Sequence, residues 1–132
     1  MKPPRTGFCN GWQAIIVSVS KKKSADFYWR GGVVTQGEVS DYEPQDKQIA
    51  IEVSRIKVNS DAAFLVSEER AGRSSLEKNP DTQIRYWMGW SNRLKQLIWE
   101  VVYESKEPRK PRQICSLNAE TGNFIEWADV YR

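Results

Sequence analysis

The sequence predicts an α+β fold, with an antiparallel sheet of about seven strands in two related halves packed on one main helix. Three observations carry this: the C-terminal end partly repeats the N-terminal end, a helix-period segment lies between them, and from Thr82 onward apolar residues alternate with period two. In the repeat, Trp12 opens the run Gln13-Ala14-Ile15-Ile16-Val17 and Trp99 opens Glu100-Val101-Val102-Tyr103. A polar loop, a second apolar run and a turn follow each time: Thr35-Gln36-Gly37 before Glu38-Val39, and Ala119-Glu120-Thr121-Gly122 before Asn123-Phe124-Ile125. Each copy reads as strand, loop, strand, tight turn, strand. A meander repeated in this way describes architecture and names no chemistry.

The elements follow in order. Gly11 to Val19 is apolar on both sides of a strand period, Trp12, Ala14 and Ile16 against Ile15, Val17 and Val19, which predicts a strand well inside a sheet with Trp12 in the core. Lys21-Lys22-Lys23 makes a loop, and Asp26-Phe27-Tyr28-Trp29-Arg30 is rich in β-forming aromatics. Gly31-Gly32 supplies a bulge or bend, and Thr35-Gln36-Gly37-Glu38 reads as a turn. Ser40 to Lys47 is an acidic connecting loop, after which Ile49, Ile51 and Val53 alternate with Ala50, Glu52 and Ser54, an extended pattern that Ile56 and Val58 continue.

Asn59 or Ser60 caps a helix beginning at Asp61, whose carboxylate suits the positive N-terminal end. Ala62, Leu65 and Val66 form its apolar stripe, and Gly72 fits a left-handed position that ends it. Ser74 to Lys78 makes another short helix, stopped by Asn79-Pro80-Asp81. Ile84, Tyr86, Met88 and Trp90 then share one face of a strand, with Arg85, Trp87 and Gly89 on the other. After a turn at Ser91-Asn92-Arg93, Leu97, Trp99, Val101 and Tyr103 alternate with Ile98, Glu100, Val102 and Glu104, which predicts a hairpin. Gln113 to Asn118, the Ala119 to Gly122 turn and Asn123 to Trp127 complete the chain as a second hairpin.

At 132 residues the chain reads as a single domain, with an N-terminal strand unit at 1–47 and helix plus strands at 48–132. That length allows a chain to bury roughly 65 to 70% of its unfolded surface. No apolar run approaches a membrane span, so a soluble protein is expected. Met1 to Gly7 is basic, but Trp12 to Val19 is too short and too polar for a secretory apolar stretch. A cytoplasmic location is therefore expected for the chain as given, although a domain excised from a longer or exported precursor would read the same. Cys9 and Cys115 stand either as two thiols or as one bridge, and with no histidine in the chain a zinc site is not expected.

The stretch from Ile56 to Trp127 resembles the PepSY and related cystatin-like α+β domains found widely in bacteria. The matching residues are Val58-Asn59-Ser60-Asp61-Ala62-Ala63 opening a helix, Gly72 ending it, Asn79-Pro80-Asp81 before a strand, Leu97-Ile98-Trp99-Glu100-Val101, and Leu117 to Ile125 as the last hairpin. The family commonly shows Asp-Ala-x-Thr-Gly-x-hydrophobic in that hairpin. Asn118 replaces the Asp here and can make the same side-chain to backbone bond. The resemblance covers a little over half of the chain, with the N-terminal copy a degenerate relative. It implies a curved antiparallel sheet laid across a helix, and a domain that binds or regulates partners, proteases among them, without chemistry of its own. The matching positions are turn and core positions, so no catalytic residue carries over.

The residues themselves point the same way. Without histidine neither a Ser-His-Asp triad nor a Cys-His pair can be built, and Glu68-Glu69 or Asp41 with Glu43 read as solvated faces. No phosphate-binding Gly-Lys-Ser/Thr loop occurs, so no enzyme, cofactor or metal is expected. The six tryptophans are the unusual feature. Tyr86, Trp87 and Trp90, with Arg85 and Arg93 beside them, form the candidate partner-binding set, unless that aromatic strand is buried by the N-terminal unit or a second copy. The expected function is a non-catalytic binding or regulatory module that recognises a protein or peptide, or a second copy as a homodimer, through a sheet face or edge. A small apolar ligand held between sheet and helix by Leu65, Trp87 and Trp99 is the alternative. Weak nucleic-acid binding through the basic loops Lys21, Lys22, Lys23 and Arg109, Lys110, Arg112 is third.

Overall fold

The computed structural model describes residues 11–43 and 50–131. Cys9, Ile49, the basic leader 1–7 and the second half of the predicted acidic loop, 44–47, lie outside the described residues. The described chain falls into two compact units, one of residues 11–43 with Ala50 and one of residues 51–131.

The first unit is an antiparallel meander of β1 (Gly11–Ser18), β2 (Lys23–Arg30) and β3 (Val33–Asp41), in the order β1-β2-β3. Residues 19–22 connect the first pair, with Lys22 at φ 50° as the last loop residue. Gly31 and Gly32, at φ 56° and 83°, make the two-residue turn that joins β2 to β3. Two positive φ values in succession are the turn whose twist matches that of the flanking strands, and glycine adopts them without cost. The glycine pair is therefore the hairpin turn itself and not a bulge or bend ahead of one. The predicted turn at Thr35 to Glu38 instead lies inside β3, where the register slips between Ala25↔Val39 and Phe27↔Gln36. Two residues, Gly37 and Glu38, oppose Asp26 alone, which is a β-bulge. The first strand also departs from expectation. β1 is an edge strand, and Trp12 is 37% exposed, because this unit carries no helix or second sheet to cover it among the described residues.

The second unit begins without the extended run predicted from Ile51 through Val58. Val53–Arg55 is a single 3-10 turn, while Ile51, Ile56 and Val58 lean on the core. The alternation there reflects alternate burial of a loop, pinned where Lys57 and Val58 both donate N–H to the Ala119 carbonyl at 3.1 Å. Helix α1 (Ser60–Ser67) follows, with Asn59 in the extended cap conformation and Asp61 in the first turn. Its buried residues are Ala63, Phe64 and Ser67; of the predicted stripe Val66 packs against the core, whereas Ala62 is exposed and Leu65 is 60% exposed.

Gly72 does not end the helix. Its φ of −59° and ψ of −42° are ordinary right-handed values, and the chain passes through a wide π turn (Glu68–Gly72) into α2 (Arg73–Lys78). Glycine is needed there because a Cβ would overlap the Tyr103 hydroxyl and stand 2.7 Å from Tyr103 Cζ. The helical segment stops at Asn79, ahead of Pro80, as its sequence predicts.

Strands β4 (Gln83–Ser91), β5 (Gln96–Glu104), β6 (Arg112–Asn118) and β7 (Phe124–Val130) form an antiparallel meander in that order. Leu97, Trp99, Val101 and Tyr103 of β5 are buried with Cys115, Leu117, Ala119 and Ala63, and Ile84, Tyr86, Met88, Trp90, Phe124 and Trp127 pack around them. Trp99 is 5% exposed and its indole N–H donates to the Val58 carbonyl at 2.7 Å. Cys115 is a free, buried thiol.

The seven strands thus form two sheets, of three and four, and not one. The chain is antiparallel α+β in content, with its helix made of two short pieces. Among the described residues no helix is long and apolar enough to cross a membrane.

Candidate functional site on the outer face of the four-stranded sheet

Period two decides which side chains of β4 to β7 face away from the helix. One face, Ile84, Tyr86, Met88 and Trp90 with Trp99 and Tyr103, closes the core. The cross-strand register places Trp87, Glu100, Ser116 and Glu126 in one row on the opposite face, and Arg85, Val102, Ile114 and Ala128 in the next.

Trp87 is 48% exposed at the centre of β4. Its ring lies over Gly89, where a Cβ would come within 2.7 Å of the indole, so the absent side chain lets the ring lie down along its own strand. Gly89 pairs with Ile98, which is 2% exposed although it belongs to the outer face. The result is an apolar centre of Trp87, Ile98, Val102 and Ile114.

Charge surrounds that centre. Glu104 forms ion pairs with Arg85 at 3.5 Å and with Arg112 at 3.6 Å, and Arg93, in the β4–β5 turn, forks onto Glu126. Glu100, half-buried opposite Trp87, is held above the usual glutamate range mainly by loss of hydration, with Arg93 pulling the other way and Glu126 adding to the rise. A carboxylate in that position lacks the full solvation of the rim charges.

The structure therefore divides the predicted partner-binding set. Arg85, Trp87 and Arg93 share the outer side, whereas Tyr86 and Trp90 belong to the core face. Tyr86 meets Trp99 edge-on, with centroids 6.5 Å apart and planes at 89°. Trp90 carries Arg55 over its ring at 5.7 Å, and that guanidinium is fixed by Glu120 at 2.7 Å. Glu100, Glu104, Glu126 and Ile98 were missed in the sequence reading. Once β4 and β5 pair through their turn, Trp87 must oppose Glu100, so that neighbour was within reach. Glu126 was not, because a bulge between Ser116 and Leu117 shifts the β6–β7 register.

The basic loops belong to separate units. Lys23 pairs with Asp41, lowering that carboxyl's pKa through the hydrogen bond and the nearby charge. Lys110 donates to Asn79 Oδ1 at 2.7 Å and lies 3.5 Å from Glu107. Arg112, the first residue of β6, joins Glu104. Lys21, Lys22 and Arg109 are exposed. Three of these six predicted contacts are thus occupied by acidic partners, which leaves little concentrated positive field for phosphate.

A pocket between Leu65, Trp87 and Trp99 is not formed: Trp99 lies in the core and Trp87 on the opposite side of the sheet. A groove of about 390 Å³ lies at the start of β4, lined by Pro80, Asp81, Thr82, Gln83, Ile84, Arg85 and Lys106, and is open and mainly polar. Among the described residues no group of His, Cys, Asp or Glu comes together that could hold a metal ion.

The last hairpin has the local chemistry expected of it. Asn118 Oδ1 accepts from the backbone N–H of Glu120 at 2.8 Å and of Thr121 at 2.9 Å, while its amide donates to Gln96 Oε1 at 2.9 Å. No protein-family model matches the chain, and no curated protein matches its sequence.

Proposed function

We propose that the unit of residues 51–131 is a PepSY-like, cystatin-like module without catalytic chemistry, and that it recognises a protein or peptide on the outer face of its sheet. The observation that carries this is Trp87, half exposed midway along the edge strand β4, with apolar neighbours on the outer face and a rim of Arg85, Arg93, Glu104 and Glu126. An aromatic anchor surrounded by charges of both signs suits a folded or extended polypeptide, which offers apolar side chains and both signs of charge together. The helix laid against a four-stranded antiparallel meander is the layering that the family resemblance implies, and it supports the reading.

The test uses Trp87→Ala, because Trp90 supports the core and its removal would confuse folding with binding. Polypeptides retained by the wild-type chain are identified, purified and titrated directly against wild type, Trp87→Ala and Arg93→Glu. The expected outcome is a loss of roughly tenfold or more in affinity for Trp87→Ala, the size usual for an interface anchor. Unchanged affinity in a folded Trp87→Ala variant would refute the proposed face.

A further inference from the structure

We infer that β1 is a self-association edge, on which a second copy of this chain lays its own β1 antiparallel, with the two-fold axis at Ile15. This concerns the other unit and stands independently of the Trp87 face.

Among the described residues each sheet has two edge strands, and three of the four carry features that discourage further pairing. β3 has the Gly37-Glu38 bulge and Asp41, β7 has a bulge with Glu126 and Asp129, and β4 carries the exposed Arg85. Bulges and charges are how edge strands avoid adding a neighbour. β1 has none of them. Its eight residues, Gly-Trp-Gln-Ala-Ile-Ile-Val-Ser, include no charge and no proline, and they pair with β2 in unbroken register from Gly11↔Arg30 to Ser18↔Lys23. Ile15 is 47% and Ile16 54% exposed.

The neutrality of the strand selects the occupant. A charged peptide would find no complementary group along β1, whereas a neutral apolar strand matches it at every position, and a second copy presents that strand. An antiparallel pair related by a two-fold axis normal to the sheet must bring together residues of the same facing. With the axis at Ile15, Trp12 opposes Ser18, Ala14 opposes Ile16, Gln13 opposes Val17, and Ile15 opposes itself. No like charges meet, and two three-stranded sheets become one of six strands.

Analytical ultracentrifugation of the full chain from about 1 to 200 μM tests this, with folding of each variant checked by circular dichroism. A monomer–dimer equilibrium is expected for wild type and for Trp87→Ala. Ile15→Lys or Ile15→Glu alone should raise the dimer Kd by roughly 100-fold or more, since each sets like charges face to face. An equimolar mixture of the two should recover a heterodimer, because residue 15 faces residue 15, and Val39→Lys on β3 should leave dimerisation unchanged. A monomer across the range, a dimer indifferent to Ile15→Lys, or folded variants that fail to recover on mixing would each overturn the inference. If the charged variants do not fold, hydrogen exchange of the wild type replaces them. Amides of β1 should then gain protection with concentration while those of β3 do not, and equal behaviour of the two edges would overturn it.

Discussion

Replacing Gly72 by alanine separates three accounts of the same glycine. In the middle of an unobstructed helix the change would stabilise the protein by about 1 kcal/mol, since alanine is the better helix former. At a left-handed helix end it would cost about 1 kcal/mol, through backbone strain that no other residue could relieve. The structure predicts a larger loss. The new methyl would overlap the Tyr103 hydroxyl, stand 2.7 Å from its Cζ and 3.0 Å from Glu68 Oε1. Tyr103 is 1% exposed and shares a 2.6 Å hydrogen bond with the buried Ser67 hydroxyl, so it has nowhere to retreat. Overpacking of a filled core costs about 1–3 kcal/mol and a broken buried hydrogen bond about 1–3, against the gain of about 1 from helix propensity. The net destabilisation is about 3 kcal/mol. Urea unfolding followed by tryptophan fluorescence measures it, and the cycle with Tyr103→Phe assigns it. Removing the hydroxyl takes away the worst overlap, so the double variant should be less destabilised than the sum of the singles by about 1–2 kcal/mol. A stabilised Gly72→Ala, or strict additivity with Tyr103→Phe, would refute the close-approach account.

The same unfolding assay should rank the two neighbouring tryptophans. Trp90→Ala should lose about 3 kcal/mol or more as a core substitution, whereas Trp87→Ala should lose about 1, the part of its ring that covers Gly89. Asn118→Asp should cost less than about 1 kcal/mol because both backbone N–H groups keep their acceptor, while Asn118→Ala should cost about 1–2. Glu100 has its folded pKa raised above the unfolded value of 4.5, so burying its charge opposes folding at neutral pH, and that cost is relieved as pH falls through the folded pKa toward 4.5. Glu100→Gln should therefore be more stable than wild type at pH 7, with the difference shrinking toward pH 4. An equal or lower stability of the variant at pH 7 would contradict the desolvation argument. Burial also raises the Cys115 thiol pKa, so in a Cys9→Ser background a thiol reagent should label Cys115 only as fast as the unit opens, and immediate labelling would contradict its burial.

What was legible in the sequence was short-range. The period-two runs of β4 and β5 placed Trp87 opposite in facing to Tyr86 and Trp90, the Asn118 turn carried its own hydrogen-bond chemistry, and Asn59-Ser60 marked the helix start to within one residue, because each rests on residues within a few positions of one another. The features that failed depend on what lies across from a residue. Gly72 looks like a helix terminator until Tyr103 is placed against it, and Thr35 to Glu38 looks like a turn until Asp26 is set opposite the bulge. The alternation of Ile51 to Val58 looks like a strand until those side chains are seen leaning on a core, with no ladder beside them. Backbone periodicity is written into neighbouring residues, but close approach, register slips and the division of seven strands into two sheets are set by partners distant in sequence, and only the tertiary structure decided them.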